Sequence, residues 1–258
     1  MTGTLIKTEN KFNGQVTEIR LNQPPANILN AKMMAEISHQ ISDDENNPHK
    51  KLIIISAEGK HFSYGASVEE HTPEKVQDML PAFHKLIGKI LSSPLPTLAQ
   101  VSGLCLGGSF EFVLACSFLF AEARAKFAFP EIQLGVFPPV AAALLPALGH
   151  TGLATKMILT GNQISAEELF RNGLVHTLIE NGPLDATVSS FIEEHILPKS
   201  ASSLRMAHKA ARMTVSQHYE KFIKDLEKFY LQDLMSTDDA VEGIRSFLDK
   251  RLPRWKDR

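Results

Sequence analysis

A chain of 258 residues, 43% of them hydrophobic and 22% charged, is long enough for one large core or one core with a helical appendage. A formal net charge of −2 with no long basic run argues against nucleic acid or an anionic membrane surface as the main partner. Cys105 and Cys116 stand in apolar surroundings outside any metal-type spacing, and read as buried free thiols of a reducing, cytoplasmic compartment. The start, Met1-Thr2-Gly3-Thr4-Leu5-Ile6-Lys7, lacks the apolar stretch of a signal peptide. The longest apolar candidate for a membrane span, 136–148, is broken by Pro138, Pro139 and Pro146.

In chain order, Val16–Leu21, Leu52–Ala57 and 97–102 read as buried strands, each β-rich and bounded by Gly, Pro or Asn. A helix over 31–42 opens after Asn30 as N-cap. A second over 73–91 places Val76, Met79, Leu80, Phe83, Leu86, Ile87 and Ile90 on one stripe, with Thr72, Pro73 and Glu74 marking its start. A short buried helix over 109–116, a strand over 118–121 and another over Lys126–Ala128 follow. Strands layered with helices make this an α/β chain. After about Asn181 the pattern becomes helical with one charged face, over 186–196, 201–214, 219–234 and 239–250. The expected organisation is a core unit over 1–196 and a helical, oligomerising region over 197–258.

Two acids stand out in this frame. Glu111, in Leu106-Gly107-Gly108-Ser109-Phe110-Glu111, and Glu131, in Phe129-Pro130-Glu131-Ile132-Gln133-Leu134-Gly135, each interrupt an apolar stretch. A carboxylate there is costly unless paired, hydrogen-bonded or working. Gly107-Gly108 is a plain tight turn on one reading; on the other it brings backbone N–H groups close to a ligand at a helix start. Glu111 is equally placed to be a capping-box acid, and Glu131 to pair with Lys126 or Arg124. The loop His61-Phe62-Ser63-Tyr64-Gly65-Ala66-Ser67 follows a buried strand, a usual place for a site in α/β sheets, and its Gly65-Ala66 step offers a second backbone donor.

Other templates fail. Ser109 lacks the glycine of a G-x-S-x-G elbow, and G-x-x-x-x-G-K-[ST], G-x-G-x-x-G and H-E-x-x-H are all missing. Glu69, Glu70 and His71 are consecutive and lead into a helix, so they read as a solvated start or pocket rim rather than a metal site; no metal is expected.

Together these segments resemble the enoyl-CoA hydratase/isomerase (crotonase) family along nearly the whole chain. The matching pieces are Pro25-Ala26-Asn27-Ile28-Leu29-Asn30, Phe62-Ser63-Tyr64-Gly65-Ala66, Leu106 through Glu111, Pro130 through Gly135, Leu159-Thr160-Gly161 with Ser165-Ala166, Gly173-Leu174-Val175, and Glu242-Gly243 through Phe247 and Lys250-Arg251. The resemblance implies a spiral of ββα units with a C-terminal helical region that forms a homotrimer or a dimer of trimers. It implies an acyl-CoA thioester as substrate, with no cofactor beyond the CoA that the substrate carries.

It also implies roles. The N–H groups of Ala66 and Gly108 would form an oxyanion hole, and Glu111 and Glu131 would hold and activate water. Ala26 and Ile28 would line the adenine side of the CoA, and Ser63, Ala66 and Val68 the thioester side. Gly65, Ser67, Leu106, Gly107, Pro130, Leu134 and Gly135 complete the expected substrate contacts, and Phe247 and Lys250 would reach a neighbouring subunit's CoA or simply pack and solvate. Retention of both acids favours a hydratase over an isomerase, or over a non-catalytic acyl-CoA-binding scaffold.

The sequence departs from the common short-chain pattern at two places. Ser67 stands where an Asp is usual, and Gly135-Val136-Phe137-Pro138-Pro139-Val140-Ala141-Ala142-Ala143 replaces a glycine-rich helix start. That second segment would border the acyl pocket. Gly65 through His71 and Pro130 through Pro138 look most like the branch of the family acting on cyclic dienoyl thioesters in anaerobic aromatic degradation. A general enoyl-CoA hydratase or isomerase is the other reading.

Overall fold

The computed structural model describes residues 3–258, so Met1 and Thr2, the first two residues of the predicted core unit, lie outside the described residues. It begins with β1 (Ile6–Lys11) and β2 (Val16–Leu21), an antiparallel hairpin turned by Phe12, Asn13 and Gly14, all at positive φ. The strand β1 escaped the sequence reading because most of its residues are exposed, so it carries no apolar alternation. Helix α1 (Ala31–Glu45) is capped as expected by Asn30, whose side chain accepts the Met33 N–H at 2.9 Å. It runs one turn further than the pattern indicated.

The chain continues through β3 (Leu52–Ala57), α2 (Val76–Ser92), β4 (Thr97–Val101), β5 (Leu104–Leu106), α3 (Gly108–Leu114), β6 (Phe118–Glu122) and β7 (Lys126–Ala128). The helix predicted from residue 73 begins at Val76, because residues 72–75 form a separate turn closed on the Thr72 carbonyl. After β7 come α4 (Pro139–Ala147), α5 (Thr151–Thr160), β8 (Ile164–Ser165), α6 (Ala166–Arg171), β9 (Thr177–Ile179), α7 (Leu184–Phe191), α8 (Ala201–Lys228) and α9 (Asp238–Leu248).

One sheet has the order β1-β2-β3-β4-β6-β9, parallel from β2 onward; a smaller one has the order β5-β7-β8. Successive units place one strand in each sheet: β4 then β5 before α3, and β6 then β7 before α4. Ser63, bridged to Cys105, extends the small sheet in the preceding turn of the spiral. Ile53 and Ile55 of β3 enter one apolar core while Leu52 and Ile54 enter a second on the opposite face, covered by α7. Burial on both faces explains an unbroken apolar strand.

The two helices predicted over 201–214 and 219–234 are one helix, α8, continued by a π turn at Phe229–Asp233. The polar residues 216–218 interrupt the apolar stripe but include no Gly or Pro to stop the helix. Tyr219, Ile223, Tyr230, Ala240 and Ile244 enter the same core as the strands, so the helical region is built onto the spiral. Among the described residues no helix is long and apolar enough to cross a membrane.

One residue fastens the loop after β2 to the loop after β3. Asn27, fully buried at φ +46°, accepts the Gln23 N–H at 2.9 Å and donates to the carbonyls of Glu58, His61 and Phe62 at 2.9–3.2 Å. Asn tolerates this left-handed conformation better than most residues, and its amide satisfies carbonyls that no strand reaches. Asn27→Ala is expected to cost about 2 to 4 kcal/mol and lower Tm by roughly 5 to 15 °C, read by thermal denaturation. An unchanged Tm would contradict this account.

Candidate active site

The loop fastened by Asn27 carries Ser63 through Ala66 beside the turn at Leu106 through Gly108. Ser63 is buried and spends its groups on the scaffold: its hydroxyl accepts the Gly65 N–H at 3.0 Å and its carbonyl, at 3.1 Å, shares the single proton of the Ser109 hydroxyl with the Leu106 carbonyl. Gly65 adopts φ +107°, and a Cβ there would lie 2.8 Å from the Leu106 carbonyl oxygen. Such contact admits only glycine. A Cβ at Gly108 would lie 3.4 Å from the Ala66 nitrogen, so these two backbones adjoin.

The flanking N–H groups are committed. Gly107 donates to the Ala128 carbonyl at 2.8 Å and Ser67 to that of Leu29 at 3.3 Å. The Ala66 and Gly108 N–H groups have no such partner among the described residues, and both residues line one cavity of about 660 Å³, mouth included. Two adjacent free donors facing an apolar cavity make a site for a developing negative charge.

Both acids line that cavity. Glu111, on the buried α3, accepts the Ala141 N–H at 2.8 Å through Oε1. This donor belongs to the first turn of α4, where Pro139 occupies a position whose own N–H would have no intrahelical partner. Pro138 and Pro139, read in sequence as breaks, therefore start a nine-residue helix whose N-terminus faces Glu111, and Pro146 lies inside that helix near its end. Glu111 is not acting as a capping-box acid. Glu131 follows Pro130 in a 3₁₀ turn; a Cβ at Gly107 would lie 2.7 Å from its Oε1, and its Oε2 is enclosed without a partner. The pairing of Glu131 with Arg124 or Lys126 does not form: Arg124 pairs with Glu122 at 2.7 Å, and no Lys126 ion pair occurs among the described residues.

Burial pushes the Glu111 carboxyl up to about 7, against the pull of the Ala141 and Val140 N–H groups toward the ionised form. Burial, followed by the charge on Glu111, raises Glu131 well above the usual carboxylate range. Glu131 has none of the helix donors that favour charge on Glu111. Burial and mutual repulsion therefore favour the pair keeping a proton near neutral pH, and the helix donors favour the charge on Glu111.

Of the residues singled out from sequence, Gly65, Ala66, Val68, Gly107, Gly108, Glu111, Pro130, Glu131 and Leu134 meet at the cavity. The other expected substrate contacts lie outside its wall. The carbonyls of Ala26 and Ile28 accept the N–H groups of Tyr64 and Asn30, and that of Leu106 accepts the Ser109 hydroxyl at 2.7 Å. Ser67 turns its carbonyl to the His71 Nδ1–H at 2.7 Å. Gly135, at φ +69°, lies under the Asp239 carbonyl and the Trp255 ring. Phe247 and Lys250 are exposed near the chain's end.

Several wall residues were not singled out. Met79, Leu80 and Phe83 come from the apolar stripe of α2, and Val136, Phe137, Pro138 and Pro139 from the segment expected at the pocket border. Tyr64 stands in the loop already marked as a place for the site, whereas Tyr230 and Ile244 had no local signal. His71 lines the cavity as a rim residue, while Glu70 accepts the Ala31 N–H at 3.1 Å at the start of α1. No group of three or more metal-ligating side chains occurs among the described residues.

Residues 11–258 match the family model described as "Enoyl-CoA hydratase/isomerase". Among characterised relatives, the chain is 40% identical over 245 residues to the cyclohexa-1,5-dienecarbonyl-CoA hydratase of Thauera aromatica, covering 95% of this chain and 94% of that one. It is 30% identical over 255 residues to the carnitinyl-CoA dehydratase of Salmonella typhi, covering 95% and 97%. An enoyl-CoA hydratase structure from Mycobacterium avium superposes with a TM-score of 0.84 at 25% identity, covering 99% and 100%. Another, from Mycobacterium avium subsp. paratuberculosis K-10, gives 0.85 at 23% identity, covering 98% and 99%, a likeness of fold.

The raised carboxyl of Glu111 makes the native state bind a proton more tightly than the unfolded chain does. Its stabilising share is complete below the ordinary value of 4.5 and is lost as pH rises through about 7. Glu111→Gln removes that loss. The variant is expected to melt several degrees above the wild type at pH 8, a gain on the order of 2 to 3 kcal/mol that shrinks toward pH 4.5. Melting curves across that range with no pH-dependent gap would overturn the assignment.

Proposed function

Since the chain belongs to the enoyl-CoA hydratase/isomerase family, we propose that it is a hydratase adding water to a conjugated acyl-CoA thioester, most specifically cyclohexa-1,5-diene-1-carbonyl-CoA. The observation that carries the hydratase reading is the pair of unequal buried carboxyls beneath two adjoining free N–H groups. A group that holds water as a base and a group that keeps a proton for carbon are both needed, and an environment that separates two like acids supplies them.

In this reading the thioester carbonyl oxygen sits against the Ala66 and Gly108 N–H groups. Glu111, as carboxylate, takes a proton from a water held between the two acids, and the water's oxygen bonds to the ring carbon β to the carbonyl. The electron pair of that double bond moves into an extended enolate, and its oxygen is held more tightly than the ground-state carbonyl. Glu131 gives its proton to the far carbon of the dienolate, the remaining ring double bond forms next to the carbonyl, and the product is 6-hydroxycyclohex-1-ene-1-carbonyl-CoA. The proton taken by Glu111 passes to Glu131 or solvent before the next turnover.

The cyclic substrate is supported by the 40% identity to the Thauera aromatica hydratase and by a wall of Phe83, Phe137, Tyr230, Pro138 and Pro139 that suits a flat ring. It would place the enzyme in anaerobic breakdown of aromatic acids, by way of benzoyl-CoA. Ala26 and Ile28 are proposed beside the adenine, and Ser63, Ala66 and Val68 beside the thioester. Phe247 and Lys250 are proposed to serve a neighbouring subunit's CoA in a trimer or dimer of trimers. Exposed Met206, Met213, Phe222 and Phe229 along the long C-terminal helix and its π turn support an intersubunit face.

Incubating the protein with the cyclic dienoyl thioester and with crotonyl-CoA decides between ring and chain. Faster hydration of the diene is expected, and turnover of crotonyl-CoA alone would overturn the cyclic assignment. Glu111→Gln and Glu131→Gln should each lower kcat on the order of 10² to 10⁴ while the protein stays folded. Unchanged turnover in both is incompatible with the mechanism.

A further inference from the structure

Tyr230 has no part in the chemistry above, yet its side chain is placed as if it had one. Its ring is 1% exposed, it lines the cavity that holds both glutamates, and its hydroxyl has no hydrogen-bond partner. A buried phenol without a partner loses free energy, typically about 1 to 3 kcal/mol, and such groups persist where something else satisfies them. The second unpartnered buried oxygen in this cavity is Glu131 Oε2. One oxygen placed between them would satisfy both.

The backbone arranges this. Tyr230 lies in the π turn Phe229–Asp233 that continues α8, where the wider winding interrupts the helical register and redirects side chains. Its ring meets Phe137 edge-on at a centroid distance of 5.4 Å. Phe137 in turn belongs to the segment between Glu131 and α4. The ring is thus held against the segment that follows Glu131, in the wall of the same cavity.

We propose that Tyr230 is a specificity-determining residue whose hydroxyl donates a hydrogen bond to the oxygen being added to the acyl group, forming with Glu131 a subsite for a β-hydroxyl. This rests on the CoA-thioester reading of the cavity and adds a substrate feature to it. Burial, with the Glu131 and Glu111 charges next, pushes the phenol far above its ordinary range, so it stays a donor throughout the working pH. The water and the product hydroxyl occupy the same place before and after bond formation. One donor therefore orients the nucleophile and recognises the hydroxyacyl product.

Calorimetric titration of the full chain with 3-hydroxybutyryl-CoA and butyryl-CoA, which differ only in the β-hydroxyl, reads this subsite. The wild type should bind the hydroxyacyl thioester more tightly. Tyr230→Phe, which keeps the ring and its contact with Phe137, should weaken that thioester about tenfold, the net worth of one hydrogen bond, and leave butyryl-CoA within about twofold. Equal weakening of both, or of neither, overturns the Tyr230 assignment alone. Where the wild type binds only ring thioesters, 6-hydroxycyclohex-1-ene-1-carbonyl-CoA and cyclohex-1-ene-1-carbonyl-CoA make the same comparison with the same outcomes. Failure of the wild type to bind any of the four overturns the CoA-thioester reading beneath it as well. A crystal structure of the 3-hydroxybutyryl-CoA complex with the hydroxyl out of reach of Tyr230 Oη would also overturn it.

Discussion

Two stretches of backbone meet with almost no side chain between them, and the site depends on that approach. Gly65 lies against the Leu106 carbonyl, Gly108 against Ala66, and Gly107 leaves room for the Glu131 carboxyl. A Cβ at Gly65 would drive the segments apart and separate the two N–H groups that face the cavity, and one at Gly107 would push the Glu131 carboxyl aside. The Asn27 clasp and the Ser63 and Ser109 hydroxyls hold the approach from behind, so the donors are preorganised. Preorganised dipoles need no rearrangement when charge develops, which is what makes them effective.

The electrostatic asymmetry of the acids follows from where the helices start. α4 begins at Pro139 and delivers the Ala141 N–H to Glu111, while Glu131 sits in a short turn beside Gly107 with one oxygen left over. Two chemically identical carboxyls are thereby given different proton affinities without any cationic partner. A lysine or arginine nearby would have lowered both and removed the stored proton. The apolar wall therefore both shapes the acyl space and keeps both carboxyls protonated to a higher pH.

Much of this was legible because it is local. The boundaries of β2, β3 and β7 follow from apolar runs and turn residues, Asn30 announces its helix, and the glycine turn with its neighbouring acid is visible in six consecutive letters. What was hidden depends on distance in sequence. The partner of Glu111 lies thirty positions away behind prolines that look like interruptions, and nothing near Glu131 tells that Arg124 prefers Glu122. The edge strand β1 has too little buried surface to leave a pattern, and α8 crosses a polar gap that resembles a boundary. Tyr230 joins the cavity only because a distant helix folds back over the spiral.

The ring of Trp255 packs over Gly135 and Gly243, at the end of the turn that begins with Pro130 and Glu131. It is the chain's one tryptophan. The protein therefore carries a built-in optical reporter on the far side of its acid-bearing turn: intrinsic emission follows the packing of that turn, undiluted by any other indole, without a label or a substitution.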